Sequence, residues 1–269
     1  MRTMLLAITV ATTLLALPVR AETFSGSEVN LIGSAAMQNG ELQLTGNLQG
    51  QGGAAWLTSP LATARSFSVT YEFSLANAGR ENMADGVALV LQNKGTNAIG
   101  NVDAGSYLAY FGLDGVGSVV QTWFNNTAGL NIDGDPSRSK KAPVALGTAQ
   151  LVTGSETVSY DAVAHQLSMS GTLNVDGKAF PISDSVSIDL AAKFGPSMYL
   201  GFTGATGAAF ADQRITRFAL TLVPEQKVVV VPGETTVVVP EEKSHTLLLI
   251  GLSVLLGLGI LLVLLRRKD

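Results

Sequence analysis

Acidic side chains are scarce in this chain, and the few in suggestive company define the chemistry open to it. Asp85 stands between Ala84 and Gly86, at the head of the apolar run from Val87 to Leu91. A carboxylate is costly to bury, so one placed at the start of a buried strand should have a task. Its two acceptor oxygens suit a ligand with adjacent hydroxyls; an ordinary turn aspartate is the alternative. Trp123 offers the largest flat apolar area in the set, on which the apolar face of a ligand would pack; plain core or edge packing would use it equally well. Asn125 follows two residues later, and Asn125-Asn126-Thr127 is also a formal glycosylation sequon. The second tryptophan, Trp56, has no motif around it.

Other chemistries lack their residues. A glycosidase needs two carboxylates about 5–10 Å apart, which on one face of a strand would read Glu-x-Asp-x-Glu. No such triplet occurs, and the nearest pair, Asp133-Gly134-Asp135, sits in a turn-rich stretch. The chain has no Cys and only His165 and His245, which removes thiol catalysis and cysteine-based metal sites and leaves little for a histidine triad. A net charge of −4 argues against a nucleic-acid partner. The expectation is a non-enzyme.

The elements that must position these residues are strands. Ser66 to Leu75 alternates, with Phe67, Val69, Tyr71, Phe73 and Leu75 on one face and Ser68, Thr70, Glu72 and Ser74 on the other. Glu41 to Thr45 alternates as well. Val87 to Leu91 is a continuous apolar run, as in a strand buried on both faces. Thr157 to Tyr160, Gln166 to Leu173, Ala179 to Leu190, Met198 to Thr203 and Arg214 to Val223 continue the series, and Asn174-Val175-Asp176-Gly177 signals a hairpin. Many short strands between Gly/Asn/Asp turns predict an all-β sandwich or barrel over residues 22–223.

The two ends read differently. Residues 1–21 have the form of a secretory signal: Arg2, an apolar stretch from Leu5 to Leu17, and small residues Val19 and Ala21 around a cleavage point. An uncleaved anchor is the other reading. Residues 246–265 carry no charge and run straight into Arg266-Arg267-Lys268. Twenty apolar residues span a bilayer core of about 30 Å, and the basic cluster marks the cytoplasmic side. This predicts one C-terminal transmembrane helix, a short tail at 266–269, and a sandwich held outside the cytoplasm, at the cell surface or in the periplasm. Between them, 224–245 holds two imperfect Pro/Val repeats and reads as an extended linker, or as a ribbon pairing with another chain. The segment Val239-Pro240-Glu241-Glu242, followed by the apolar run and Arg cluster, resembles bacterial sorting tails of the Pro-Glu-Pro type without the second Pro.

Several segments of the middle region, in order, resemble the L-type (legume-type) lectin family. These are Ser66-Phe67-Ser68-Val69-Thr70-Tyr71-Glu72-Phe73, Ala84-Asp85-Gly86-Val87-Ala88-Leu89 and Gly105-Ser106-Tyr107-Leu108-Ala109-Tyr110-Phe111. Val158-Ser159-Tyr160-Asp161 leading into Leu167-Ser168-Met169-Ser170 continues the match. Ile188-Asp189-Leu190 and Met198-Tyr199-Leu200-Gly201-Phe202-Thr203-Gly204-Ala205-Thr206-Gly207 complete it.

The resemblance implies a concanavalin-like jelly-roll sandwich that binds glycans or polysaccharide without catalysis. It implies that Asp85 bonds sugar hydroxyls after a cis peptide bond, and that Gly105 and Ser106 lie where a backbone N–H is offered to the ligand. It places Ala208 and Ala209 in the loop that varies with specificity. It gives Trp123 and Asn125 the stacking and hydrogen-bonding roles. In the family, Glu-x-Asp-x-aromatic-x-Asn forms a metal loop. Here Val119 and Gln121 replace its two acids and Lys140 stands near its His, so no transition metal is expected. A weak calcium site is implied on Gln121, the Trp123 carbonyl, Asn125, Asp133 and Asp135, all hard oxygen donors. A domain of this fold that has lost sugar and metal binding, and serves adhesion or envelope structure, is the alternative.

Overall fold

The computed structural model describes residues 28–223, together with the backbone of two short strands beyond them. The leader at 1–21 and the apolar segment at 246–265 lie outside the described residues, so the expected signal and transmembrane helix do too. Among the described residues no helix is long and apolar enough to cross a membrane.

Residues 28–221 form two seven-stranded antiparallel sheets packed face to face, the expected all-β sandwich. The strands are β1 (Val29–Gly33), β2 (Ala36–Gln38), β3 (Glu41–Thr45), β4 (Gly52–Leu57), β5 (Leu61–Ala62), β6 (Phe67–Ala76) and β7 (Gly86–Gln92). They continue as β8 (Val116–Gln121), β9 (Thr127–Asn131), β10 (Leu151–Asp161), β11 (Gln166–Val175), β12 (Lys178–Ser187), β13 (Ser197–Ala205) and β14 (Asp212–Leu222). The first sheet runs β1-β4-β13-β7-β8-β9, with β5 paired to β13; the second runs β12-β11-β10-β6-β14-β3-β2.

Each sheet explains one kind of sequence pattern. In the second sheet β6 buries Phe67, Val69, Tyr71, Phe73 and Leu75 while the residues between them face outward, as the alternation predicted. Tyr71 meets Phe202 of the opposite sheet edge-on at 5.2 Å, and Phe202 meets Phe218 at 5.7 Å. Each such ring removed from water contributes about 1.5–3 kcal/mol. In the first sheet every residue of β7 is buried. One face packs on the second sheet. The other lies beneath a long connection from β7 to β8, forming an apolar cluster of Trp56, Ala88, Val90, Leu108, Tyr110, Leu113 and Val119. Trp56, unassigned in the sequence, pins that connection through Nε1–H to the Ala98 carbonyl at 2.7 Å. The connection in turn carries Gly105 and Ser106.

The hairpin expected at 174–177 joins β11 to β12, with Asp176 and Gly177 both at positive φ, as its tight turn requires. The strand expected over 179–190 ends at Ser187. Asp189 then caps a five-residue helix, α1 (Leu190–Phe194), by accepting from the Ala192 N–H, a start signal that the strand reading passed over. Glu156 on β10 is buried between the sheets and accepts from the Tyr71 hydroxyl of its own sheet and from Ser118 of the other at 2.7 Å. Burial raises its carboxyl above the usual range. In the linker, β15 (Gln226–Val229) and β16 (Val237–Pro240) pair antiparallel with each other within the chain.

Candidate carbohydrate site

The order β13-β7-β8-β9 lines up the ends of four strands. Ala205 pairs with Gly86, Gly86 with Gln121, and Gln121 with Thr127. The loops leaving these positions therefore emerge side by side. This brings Asp85, Trp123, Asn125, Ala208 and Ala209 to one end of the first sheet, and the β7–β8 connection adds the 3₁₀ turn Gly105–Tyr107.

Asp85 is the centre of the arrangement. The Ala84–Asp85 peptide is cis, as the resemblance implies. Its backbone is tied on both sides, Asp85 N–H to the Ala205 carbonyl at 3.0 Å and the Thr122 N–H to the Asp85 carbonyl at 2.8 Å. Gln213, from β14, donates through Nε2 to the Ala84 carbonyl at 3.0 Å and the Ala205 carbonyl at 2.9 Å. The Asp85 side chain is 2% exposed, and its Oδ2 has no hydrogen-bond partner. Burial pushes its carboxyl up to about 7, against a smaller opposing pull from the Gly207 N–H.

Gly105 and Gly207 close over this carboxylate. A Cβ on Gly105 would stand 1.7 Å from Asp85 Oδ2, and one on Gly207 would stand 3.3 Å away. Gly105 is buried, Ser106 half-buried, Ala208 exposed and Ala209 half-buried. The 206–209 turn is braced by a segment the sequence did not mark. Thr206 Oγ1 donates to the Leu48 carbonyl at 2.7 Å, and the Thr206 N–H donates to the Gln51 carbonyl at 2.8 Å.

Trp123 is half-buried and meets Phe124 edge-on at 5.7 Å. Phe124 is 82% exposed, an aromatic at the same rim that the sequence reading did not single out. Asn125 is half-buried. Its N–H turns back to the Trp123 carbonyl at 2.7 Å, and Lys141 Nζ donates to the Asn125 carbonyl at 2.7 Å.

The expected calcium ligands are not left as a free donor set. Gln121 is wholly buried and donates through Nε2 to the Ser106 carbonyl at 2.6 Å, which joins the β8 end to the 105–107 turn. Asp133 and Asp135 do come together, but around Arg138. Its guanidinium lies 3.1 Å from Asp133 Oδ2 and 3.3 Å from Asp135 Oδ2. Val119, which the resemblance sets against the first acid of the metal loop, belongs to the apolar cluster under the β7–β8 connection. Gln213, Arg138 and Lys141 were all missed from sequence, since a lone glutamine or a basic residue in a turn carries no spacing signal.

The comparisons with known proteins agree with this fold. The peanut lectin has a TM-score of 0.63 at 20% identity, covering 76% of this chain and 96% of its own. A Bauhinia forficata lectin solved with GalNAc has a TM-score of 0.59 at 21% identity, covering 74% and 94%. Arcelin-5, a lectin-like defense protein from Phaseolus vulgaris, has a TM-score of 0.62 at 17% identity, covering 75% and 95%. At these identities the likeness speaks for the fold. No curated protein matches by sequence. The family model of the legume lectin domain matches residues 20–229, the whole sandwich with its strand-end loops, and the chain belongs to that family.

Proposed function

We propose that this protein binds carbohydrate without catalysis, at the strand ends around Asp85, and that it is exported and held at a membrane by its C-terminal segment with the sandwich outside the cytoplasm. The observation that carries the binding reading is the buried Asp85 Oδ2 without a partner, enclosed by the two glycine turns. A buried acceptor left unmade costs about 1–3 kcal/mol. A sugar hydroxyl reaching between the turns supplies the missing donor, with backbone amides nearby to orient it and Trp123 and Phe124 at the rim to stack on its apolar face. The small Ala208 and Ala209 side chains leave room for the ligand above.

The test is a glycan array with the soluble 22–223 fragment, followed by calorimetry on any hit, with GalNAc in the first panel. Trp123→Ala is expected to weaken binding about tenfold, the size of an aromatic contact of about 1.4 kcal/mol, with a smaller loss for Phe124→Ala. No bound glycan across a broad array would favour the second reading, a lectin-fold domain serving adhesion or envelope structure. The 2% exposure of Asp85 is the observation on that side.

The membrane reading rests on the charge-free segment 246–265 and the basic residues after it. Protease added to cells, with any outer membrane made permeable, is expected to remove the sandwich and spare the Arg266-Arg267-Lys268 tail. The opposite pattern of protection would reverse the topology.

A further inference from the structure

In the legume lectin family the loop beside the sugar site holds calcium, and here the two carboxylates of that loop already face the protein's own donors. Asp133 Oδ1 accepts from Asn131 Nδ2 at 2.9 Å and from the Asp135 N–H at 3.1 Å, and its Oδ2 faces Arg138. Asp135 Oδ1 accepts from the Ser137 N–H at 3.0 Å and hydroxyl at 2.7 Å, and its Oδ2 faces Arg138 as well. The Asn125 main-chain carbonyl takes the Lys141 ammonium, the Trp123 carbonyl takes the Asn125 N–H, and the Asn125 side-chain amide is a neutral ligand. Gln121 Oε1 is buried and without a partner, but it is a neutral donor. Calcium affinity follows the number of charged oxygens offered, and the two carboxylates already face a cation. The residues present do not fit the ion.

We infer that Arg138 stands in for the metal: it sets its positive charge against Asp133 and Asp135 in a 131–138 loop that Asn131 holds through the Asp135 carbonyl and the Gly134 N–H, so that this sugar site is organised without calcium. The loop reaches the site through short links. Thr127, which pairs with Gln121, donates its hydroxyl to the Pro136 carbonyl at 3.4 Å, and the Pro136–Arg138 turn packs on the Gly105–Tyr107 turn. Arg138 is thus a positioning residue, acting through the loop. Its side chain is 70% exposed, so the ion pairs are worth little as stability. Their consequence is that the carboxylates are no longer available to a metal.

The inference rests on the proposed site only for its location, and its readouts need no sugar. The full-length chain in detergent is examined by thermal unfolding and by calorimetry, in EDTA and in calcium up to 5 mM. The parent is expected to show the same Tm in both and no saturable heat of calcium binding. Arg138→Gln frees both carboxylates and is expected to gain a response, a calcium-dependent rise in Tm of about 2 °C or more, since a ligand that binds only the folded state stabilises it. A merely structural loss at Arg138 would lower Tm without creating that response. A calcium-dependent Tm in the parent overturns the inference. So does an Arg138→Gln variant as indifferent to calcium as the parent. A glycan array without hits, alongside a calcium-indifferent parent and a responsive variant, would overturn the sugar reading and leave this one standing.

Discussion

Asp85→Asn should weaken glycan binding tenfold or more while making the domain more stable at neutral and alkaline pH. The carboxyl is raised from 3.8 to about 7, chiefly by burial. Between about pH 4 and 7 the folded state therefore holds a proton that the unfolded chain has lost. Stability then falls as pH rises through this window and levels off above it. One pKa unit corresponds to about 1.36 kcal/mol, so the ionised carboxylate costs the fold on the order of a few kcal/mol at pH 8, an upper figure for a group that a small shift of the 206–209 turn could wet. Asn keeps the shape without the charge. Its urea unfolding free energy is expected to fall less steeply than the parent's from pH 4 to 8, the remaining slope coming from the buried Glu156, and to lie above the parent's at pH 8. Glycan affinity in the parent should run the opposite way, increasing from pH 5 to pH 8 as Asp85 ionises and accepts from two hydroxyls. The amide of Asn presents a donor where the second acceptor stood, a loss of tenfold or more for one charged hydrogen bond of about 1.5–3 kcal/mol. A parent-like pH slope in Asp85→Asn would remove Asp85 as the titrating group. Retained binding would remove it from the site.

This pairing of weakened binding with gained stability separates a binding residue from a packing residue. Gln213 is the contrasting case. Its amide joins the Ala84 and Ala205 carbonyls from the second sheet, so truncating it leaves buried acceptors without donors, and any effect on binding would come with a loss of stability.

The sequence made the fold legible where each face of a strand had one environment. The Ser/Thr alternation of β6 and the apolar run of β7 could be assigned because one sheet faces water and the other is covered on both sides. It was least legible in β4, Gly-Gly-Ala-Ala-Trp-Leu, whose small residues give no period and whose place in the first sheet follows from close packing under the β7–β8 connection. β8 was read for its ligand spacing, although its Val-Gly-Ser-Val-Val-Gln run is a buried strand. Asp85 and Trp123 stand out by residue type and Gly105 by the resemblance, and the structure sets Gly105 against the Asp85 carboxylate. Arg138 does not stand out, since its meaning depends on a turn that folds it back onto Asp133 and Asp135, and a basic residue three to five positions from an acid usually means only a solvated surface.

The largest structural effect is expected at Gly105. Gly105→Ala would place its Cβ 1.7 Å from Asp85 Oδ2, 2.3 Å from the Gly207 nitrogen and 2.5 Å from the Thr206 carbonyl carbon. The carboxylate could rotate away, but the other two atoms are backbone, and that backbone is held by the Gln51 and Ala209 carbonyls. The methyl group is accommodated only by parting the 105–107 and 206–209 turns, the two walls of the site. Overpacking of this kind costs about 1–3 kcal/mol or more, and the Tm should fall by several degrees together with loss of glycan binding. Gly207→Ala is the matched control, because its Cβ would meet Asp85 Oδ2 at 3.3 Å and nothing else closer than 3.6 Å. A rotation of the carboxylate relieves that contact, so its stability should change less than that of Gly105→Ala. Adding Asp85→Ala to each variant then discriminates the cause. It should relieve Gly207→Ala, whose tight contact is the carboxylate, and leave Gly105→Ala destabilised, because the backbone contacts remain. Equal losses in the two single variants, or full relief of Gly105→Ala by removing the carboxylate, would mean that the turns are loose enough to part and that the close approach at Gly105 does not shape the site.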